Sequence, residues 1–587
     1  MKIHLICLLL ICAMLTPLLT GCQKGEPDMN TPVTTSEEAF IPLNSSDADL
    51  LTEKWRAAEL CLEASRDIDD PFDSVLLDAR FTSPSGRVYT VPAFWDGGRI
   101  WRVRFAPNEL GLWRCETVCN LRDAGLDGLS YTLGCNPYAG ELEIYRRGFL
   151  KTEPGVRYMM YDDGTPFFYL GDTHWTMLTE EFDCAGSNAG ELKIDSHFRY
   201  IVQRRAQQGF TVYQSEPIGC RYTLQDGFDE ADVAGFQDAD RYFACIADAG
   251  LVHANAQLVF TSELIAGDLY KNEAYLEKLA RYWVARYSAY PVLWTTAQEC
   301  DKDFYHERGD QKVWDANTNP WKKIAAWVAQ YDPYQHPLTA HMEHATYTSA
   351  SDSSFRDVPG HTWYGVQYSF DLSGDPDYKI LRDFWENGGG KVVINYEGKY
   401  DHLWTKAFGA RAVGWMSFLG GMYGYGYGVQ DMWYYKCVYD MQSTSSDGAD
   451  QITPEDKKVQ WHESLEFESA AQVNYMRLFL QRLEWWRLTP DFSSDAWYMS
   501  RNDLAVSAHI DDALYVVYLY SKNTSAGYIN SMDADGVYTA QWFNPRTGEY
   551  TLIAEDIRPA ERLGSYMWAA PARPDAQDWV LLVTKNA

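Results

Sequence analysis

Basic residues are scarce. Lys and Arg number 51 against 82 Asp and Glu, a formal net charge of −31 over 587 residues. Phosphate recognition needs a basic stripe, and its absence argues against a nucleic-acid partner. The same balance hinders work on strongly anionic polymers and suits neutral material. Cysteine is sparse as well: the 12 present form no CxxC pair of the zinc-binding kind. No Gly-rich phosphate loop occurs between a predicted strand and helix. "HMEH" (341–344) carries two histidines three apart, but it is not HExxH and falls in a predicted strand. The expectation is no metal and no cofactor. Beyond the first residues, no apolar run reaches membrane-spanning length.

Aromatics, by contrast, are plentiful: 22 Trp, 40 Tyr and 25 Phe make 15% of the chain. They fit either large β-rich cores or surfaces that stack on sugar rings. Hydrophobic content of 46% and charged content of 23% are those of a folded protein. The length exceeds one core and predicts three or four domains.

Lys2, the apolar run Ile3 to Leu19 and "LTGC" ending at Cys22 have the layout of a secretory signal. The last four residues resemble the bacterial lipobox, whose cysteine is lipidated and becomes the new N-terminus. That implies an exported protein held to the membrane through Cys22, on the cell surface or the periplasmic face. With Cys7, Cys12 and Cys22 so assigned, nine cysteines remain, an odd number. Cys61, Cys115, Cys119 and Cys135 share one segment, so a local disulfide is expected there.

After the signal (1–22), residues 23–50 read as a flexible tether rich in Pro, Ser, Thr and acids. Short alternating runs over 51–141, such as "DSVLLDARFTS" and "IWRVRFAP", predict an antiparallel β-sandwich. From 145 to 485 apolar runs alternate with helical stretches, eight times: 166–175, 209–217, 250–260, 290–299, 336–344, 361–369, 391–401 and 410–421. Eight such β–α units predict a TIM barrel. Short strands over 490–587, with a turn at Pro545 to Gly548, predict a second sandwich. The fold class is thus multidomain, a (β/α)8 barrel flanked by β-sandwiches.

In such barrels the C-terminal ends of the strands face the active site. The candidates at those ends are Asp172, His174 and Trp175; Glu216; Gln298 and Glu299; Glu343; Trp363 and Tyr364; Glu397 and Tyr400; and Trp415. Glycosidic hydrolysis needs two carboxyl groups flanking the scissile bond, one to protonate the leaving oxygen and one to attack or activate water. Glu299 and Glu397 follow strongly apolar runs in strands four and seven, which lie across the barrel mouth. Glu216 and Glu343 compete for these roles. The acid needs a raised pKa, expected from burial against Trp294, while the other carboxylate is expected to accept from Tyr364. The Gly/Tyr-rich "GGMYGYGYGVQD" (420–431) reads as an aromatic loop over the cleft.

"YLGDTHW" and "EGKYD" are similar to the apiosidase-like glycoside hydrolase family, whose members carry "LGDT-x-W" in the first strand and "E-P-x-Y-E" at the seventh. "WFNPRTGEY" resembles the collagen-binding-like domain that often follows this barrel. The resemblance implies a retaining glycosidase with Glu397 as nucleophile, Glu299 as acid/base, and Asp172, His174 and Trp175 shaping the sugar subsite. Tyr400 and Asp401 complete the seventh-strand motif. Gly398 replaces the motif's Pro, Asp401 its Glu, and "AQEC" a Gly-Gly-Asp type ending. The partner implied is a carbohydrate substrate. The alternative is a non-catalytic surface lipoprotein that binds sugar in the same cleft.

Overall fold

The computed structural model describes residues 40–587 apart from 176, 178–191, 216–226, 257–263, 302–312, 345–348, 352, 370–377, 403–404, 430–431, 433–458, 460, 499–504, 521–526 and 587. The signal, Cys22 and Glu216 therefore lie outside the described residues, as does the side chain of Glu343.

Two sheets open the described chain. One has five strands in the order Leu50–Glu53, Ser130–Asn136, Gly111–Cys119, Leu77–Thr82, Val88–Pro92; the other has three, Ala58–Glu63, Ile100–Phe105, Phe94–Trp95. All pairs are antiparallel except Leu50–Glu53 with Ser130–Asn136. Alternating burial along Ala58–Glu63 and Gly111–Cys119 puts every second side chain inward. Phe81 of the larger sheet stacks on Phe105 of the smaller at 4.2 Å, so the two faces share a core.

The disulfide expected here is absent: Cys61, Cys115, Cys119 and Cys135 are free thiols. Cys115 and Cys119 lie four residues apart on one strand, about 13 Å at the usual rise. Cys135 pairs with Gly111 rather than with either. No two of these three approach the roughly 6 Å Cα separation a disulfide needs, and Cys61 is exposed.

The centre of the chain is an eight-stranded parallel sheet: β1 Tyr169–Thr173, β2 Val212–Ser215, β3 Val252–Asn255, β4 Val292–Trp294, β5 His341–His344, β6 Trp363–Gln367, β7 Val392–Asn395 and β8 Gly424–Tyr427. Neighbours pair in parallel from β4 through β1 to β8 and on to β5. The two ends also meet. Trp294 N–H donates to Pro337 O, and Thr339 N–H and His341 N–H donate to Trp294 O and Thr295 O. The sheet is curled as in a TIM-like glycoside hydrolase. The strands are buried on both faces and open on apolar residues, with buried polar ones such as Gln214, Asn255 and Asn395 toward their ends.

Helices fill the connections. Ser196 caps His197–Gln207, Asn272 caps Glu273–Tyr287, and Asn319 with Pro320 at the first turn starts Pro320–Tyr331. Asp229 and Asp232 form a reciprocal capping box on Glu230–Asp248.

The eighth strand is not where the sequence pattern places it. Residues 410–421 belong mostly to the helix Ala407–Leu419, and the strand is Gly424–Tyr427. That helix is buried on nearly every side, between the barrel and the C-terminal sheet, so it shows no apolar stripe to mark it as a helix. Gly424 and Gly426 alternate with buried tyrosines instead of forming a loop. A Cβ on Gly426 would come 1.9 Å from Tyr396 O, and one on Gly424 2.5 Å from Ile394.

At the C-terminal end a six-stranded sheet (Thr489–Pro490, Ala505–Ile510, Leu514–Leu519, Trp579–Lys585, Tyr538–Asn544, Glu549–Ile557) accompanies a four-stranded one. The turn at 545–548 closes the hairpin of Tyr538–Asn544 and Glu549–Ile557, with Gly548 at φ 76° donating to Asn544 O. A buried ion pair ties this sheet to the barrel: Arg411 donates to both oxygens of Asp578 (2.8 and 2.6 Å) and to Gln472, while Tyr518 also donates to Asp578.

Candidate active site

Glu397 stands two residues beyond β7, in a turn fixed by backbone bonds from Glu397 N–H to Val366 O and Gly398 N–H to Gly426 O. Both of its oxygens face side chains. The Tyr400 hydroxyl donates to Oε1 at 2.6 Å and accepts from Trp175 Nε1–H at 2.6 Å. His341 Nε2, at the start of β5, lies 3.2 Å from Oε2. Burial first, then the adjacent Glu397 charge, pushes the Tyr400 hydroxyl far above its usual range, so it remains a donor. Tyr396, immediately before Glu397, is ringed by His341 (4.8 Å), Trp175 (5.8 Å) and Trp363 (5.9 Å).

Glu299 sits in the turn after β4, half-buried, with Gln298 beside it. Its backbone has φ 45°, and Thr296 in the same segment has φ 59°, a left-handed value rare for a β-branched residue. Thr296 Oγ1 donates to Thr339 O at 2.6 Å, anchoring that segment to the approach to β5.

Gln367, the last residue of β6, spans the space between the two acids. Its Nε2 lies 3.0 Å from Glu299 Oε1 and 3.2 Å from His341 Nε2. One amide and one imidazole therefore connect Glu299 to Glu397. An acid and a second carboxylate from strands four and seven, approached through an aromatic wall, form a constellation suited to glycosidic chemistry.

Of the residues expected at the strand ends, Glu299, Glu397, Tyr400 and Trp175 are brought together. Five are not. Asp172 and His174 are buried on the outer face of β1. His174 Nε2 lies 2.8 Å from Asp172 Oδ2, Arg205 of the first helix pairs with the same oxygen, and the His174 ring stacks on Tyr213. Burial raises the Asp172 carboxyl, but the Arg205 charge and His174 outweigh it and hold it below the usual range. Strand alternation explains the outcome, since Gly171 and Thr173 take the inward positions.

Tyr364 also points outward, against Phe384 and His361, so Tyr400 takes the place expected of it beside Glu397. Trp363 is inward but opens β6, four residues before Gln367, and fills the interior near Tyr169. Trp415 lies on the helix Ala407–Leu419 with its ring stacked on Tyr518 of the C-terminal sheet. Trp294, expected against Glu299, faces the helices and donates to Asp332.

His341 and Gln367 were absent from the strand-end candidates. His341 opens "HMEH", whose spacing draws attention to metals, and Gln367 is a neutral residue in an apolar run. The strand-end rule reaches Gln367, the last residue of β6, but not His341, which opens β5.

Comparison with known proteins places these features. A family model described as "Apiosidase-like, catalytic domain" matches residues 153–487. A "Domain of unknown function (DUF5060)" model matches 51–120, and one described as "Putative collagen-binding domain of a collagenase" matches 494–584. Among solved structures, a "putative glycoside hydrolase" from Bacteroides vulgatus ATCC 8482 superposes with a TM-score of 0.65 at 18% identity, covering 92% of this chain and 100% of that one. A glycoside hydrolase family 5 structure from the same organism gives 0.54 at 18% identity, covering 75% and 94%. These likenesses show the fold. No curated protein matches the chain.

Proposed function

The chain belongs to the apiosidase-like family and is a glycosidase, and from that premise we propose a retaining mechanism with Glu397 as nucleophile and Glu299 as acid/base. The observation that carries the proposal is the bond from Tyr400 to Glu397 Oε1, with Oε2 making no hydrogen bond among the described residues and lying 3.2 Å from His341 Nε2, within a chain of contacts that reaches Glu299. A carboxylate anchored through one oxygen presents the other in a fixed direction for attack.

In the first half-reaction Glu397 attacks the anomeric carbon while Glu299 gives its proton to the departing glycosidic oxygen, leaving a glycosyl ester on Glu397. In the second, Glu299 takes a proton from water as that oxygen attacks the anomeric carbon, and Glu397 is released as a carboxylate. Trp175 would stack on the sugar ring, and Gln298 would meet a hydroxyl from the turn beside Glu299. The substrate class is a neutral glycoside of an oligosaccharide or polysaccharide, with apiose as one sugar to test.

We further propose that the barrel lies between two β-sandwich domains and that the protein is exported and lipid-anchored at Cys22. Product release from a panel of aryl glycosides and plant polysaccharides, with Glu299→Gln and Glu397→Gln as controls, tests the activity. Proton NMR of the first-formed anomer tests retention. A protein that binds oligosaccharide by calorimetry but releases nothing from the panel would favour the non-catalytic reading.

A further inference from the structure

We infer that Gln214 is a positioning residue for Glu397, its amide crossing the barrel interior to hold the peptide bond from which that carboxylate projects. The inference rests on the role proposed for Glu397.

The ladder between β6 and β7 ends on an irregular step. Val366 pairs with Asn395, and the next two N–H groups, of Tyr396 and Glu397, both donate to Val366 O, at 2.7 and 3.3 Å. Two successive donors on one acceptor make a bulge-like step, of the kind that re-aims a side chain beside an active site. The Tyr396 carbonyl is turned to the barrel interior, where Gln214 Nε2 donates to it at 2.7 Å. A backbone carbonyl only accepts, so the nitrogen of the amide must face it. The bond thus fixes the plane of the Tyr396–Glu397 peptide, and the Cα–Cβ bond of Glu397 turns with that plane.

The reach of this amide is unusual. Gln214 belongs to β2 and Tyr396 follows β7, and the sheet runs β2-β1-β8-β7, so the contact passes over two strands. At the crossing both strands carry glycine. Gly171 of β1 and Gly426 of β8 are partners in register. A Cβ on Gly171 would come 2.0 Å from Gln214 Oε1, and one on Gly426 would come 1.9 Å from Tyr396 O and 2.7 Å from the same Oε1. A side chain at either position would displace the amide, the carbonyl or both. The glycine of "YLGDTHW" therefore has a task toward Glu397 that Asp172 and His174, on the outer face of the same strand, do not share.

Gln214 is itself fully buried, at 0% exposure, so its side chain has no solvent-facing alternative to this placement. Each part of the arrangement sits on a different strand: the donor on β2, the two bare Cα atoms on β1 and β8, and the carbonyl after β7.

The test follows covalent labelling by a 2-deoxy-2-fluoro glycoside of the sugar the wild type releases, because that reaction reports attack by the nucleophile alone. Gln214→Met keeps the length of the side chain and loses its N–H. Measured below the unfolding transition, its limiting labelling rate constant should fall about 10- to 100-fold, up to the scale of a misplacement near 1 Å. The glycoside concentration giving half that rate should stay within about twofold. Gly171→Ala should cause a similar fall, but no further fall when added to Gln214→Ala, where no amide remains to displace. An unchanged limiting rate constant in Gln214→Met would overturn the inference, as would a change confined to the half-saturating concentration. Additive losses in Gly171→Ala with Gln214→Ala would overturn it too. Labelling of a residue other than Glu397 in the wild type, or full activity in Glu397→Ala, would instead overturn the nucleophile assignment beneath it.

Discussion

The ring of Tyr400 lies against the bare Cα of Gly428: a Cβ there would come 1.7 Å from Cε1 and 2.0 Å from Cδ1. The residue after β8 thus sets where the Glu397 partner stands. Gly428→Ala should displace the ring and loosen Glu397, lowering kcat/KM by about 100-fold, the scale of a misplacement near 1 Å. A crystal structure of the variant should show the Tyr400–Glu397 bond broken.

Tyr400→Phe removes the donor to Glu397 and strands Trp175 Nε1–H without its acceptor. Loss of a hydrogen bond to a charged group predicts a fall in kcat/KM of about 10- to 100-fold, and the stranded indole a loss of about 1–3 kcal/mol in stability. Kinetics and chemical unfolding of the same sample separate the two effects.

Trp415 and Arg411 make the opposite case. Their contacts are with the C-terminal sheet, so Arg411→Ala should cost about 3–5 kcal/mol by leaving Asp578 charged and buried. Values of kcat and KM measured below the unfolding transition should stay near wild type. Trp415→Phe should likewise lower the melting temperature without changing KM.

Stability should fall with pH earlier than carboxylate protonation alone would cause. Burial pushes His197, His253 and His361 down from 6.5 to about 3, helped by His174 beside His197 and Lys391 beside His361. Between 6.5 and about 3 the unfolded chain binds these protons and the folded chain does not. Unfolding is therefore favoured as pH drops through that window, by roughly 1.4 kcal/mol per pH unit for each histidine. Denaturant titrations at pH 7, 5.5 and 4 check the slope, and His253→Phe should flatten it.

Much of this was legible in the sequence, and the exceptions share a cause. Seven strands were marked by apolar runs with polar ends, and Glu397 and Tyr400 by the "EGKYD" motif. The eighth strand was missed because the helix Ala407–Leu419 is apolar all round and "GYGY" is rich in the residue that usually marks a loop. Asp172, His174 and Tyr364 were misplaced by strand parity, which a run of apolar residues buried on both faces does not reveal. Gln367 and His341 gain their meaning only from contacts across strands β4 to β7, and those depend on register rather than local pattern.

The central claim is that Glu397 forms a covalent bond to the sugar. A 2-deoxy-2-fluoro glycoside of the sugar the protein releases, bearing a good leaving group, should inactivate it. Peptide mapping by mass spectrometry should then place one fluoroglycosyl adduct on Glu397, absent from Glu397→Gln. An adduct on Glu299 or any other residue, or turnover to the inverted anomer with no adduct, would contradict the account.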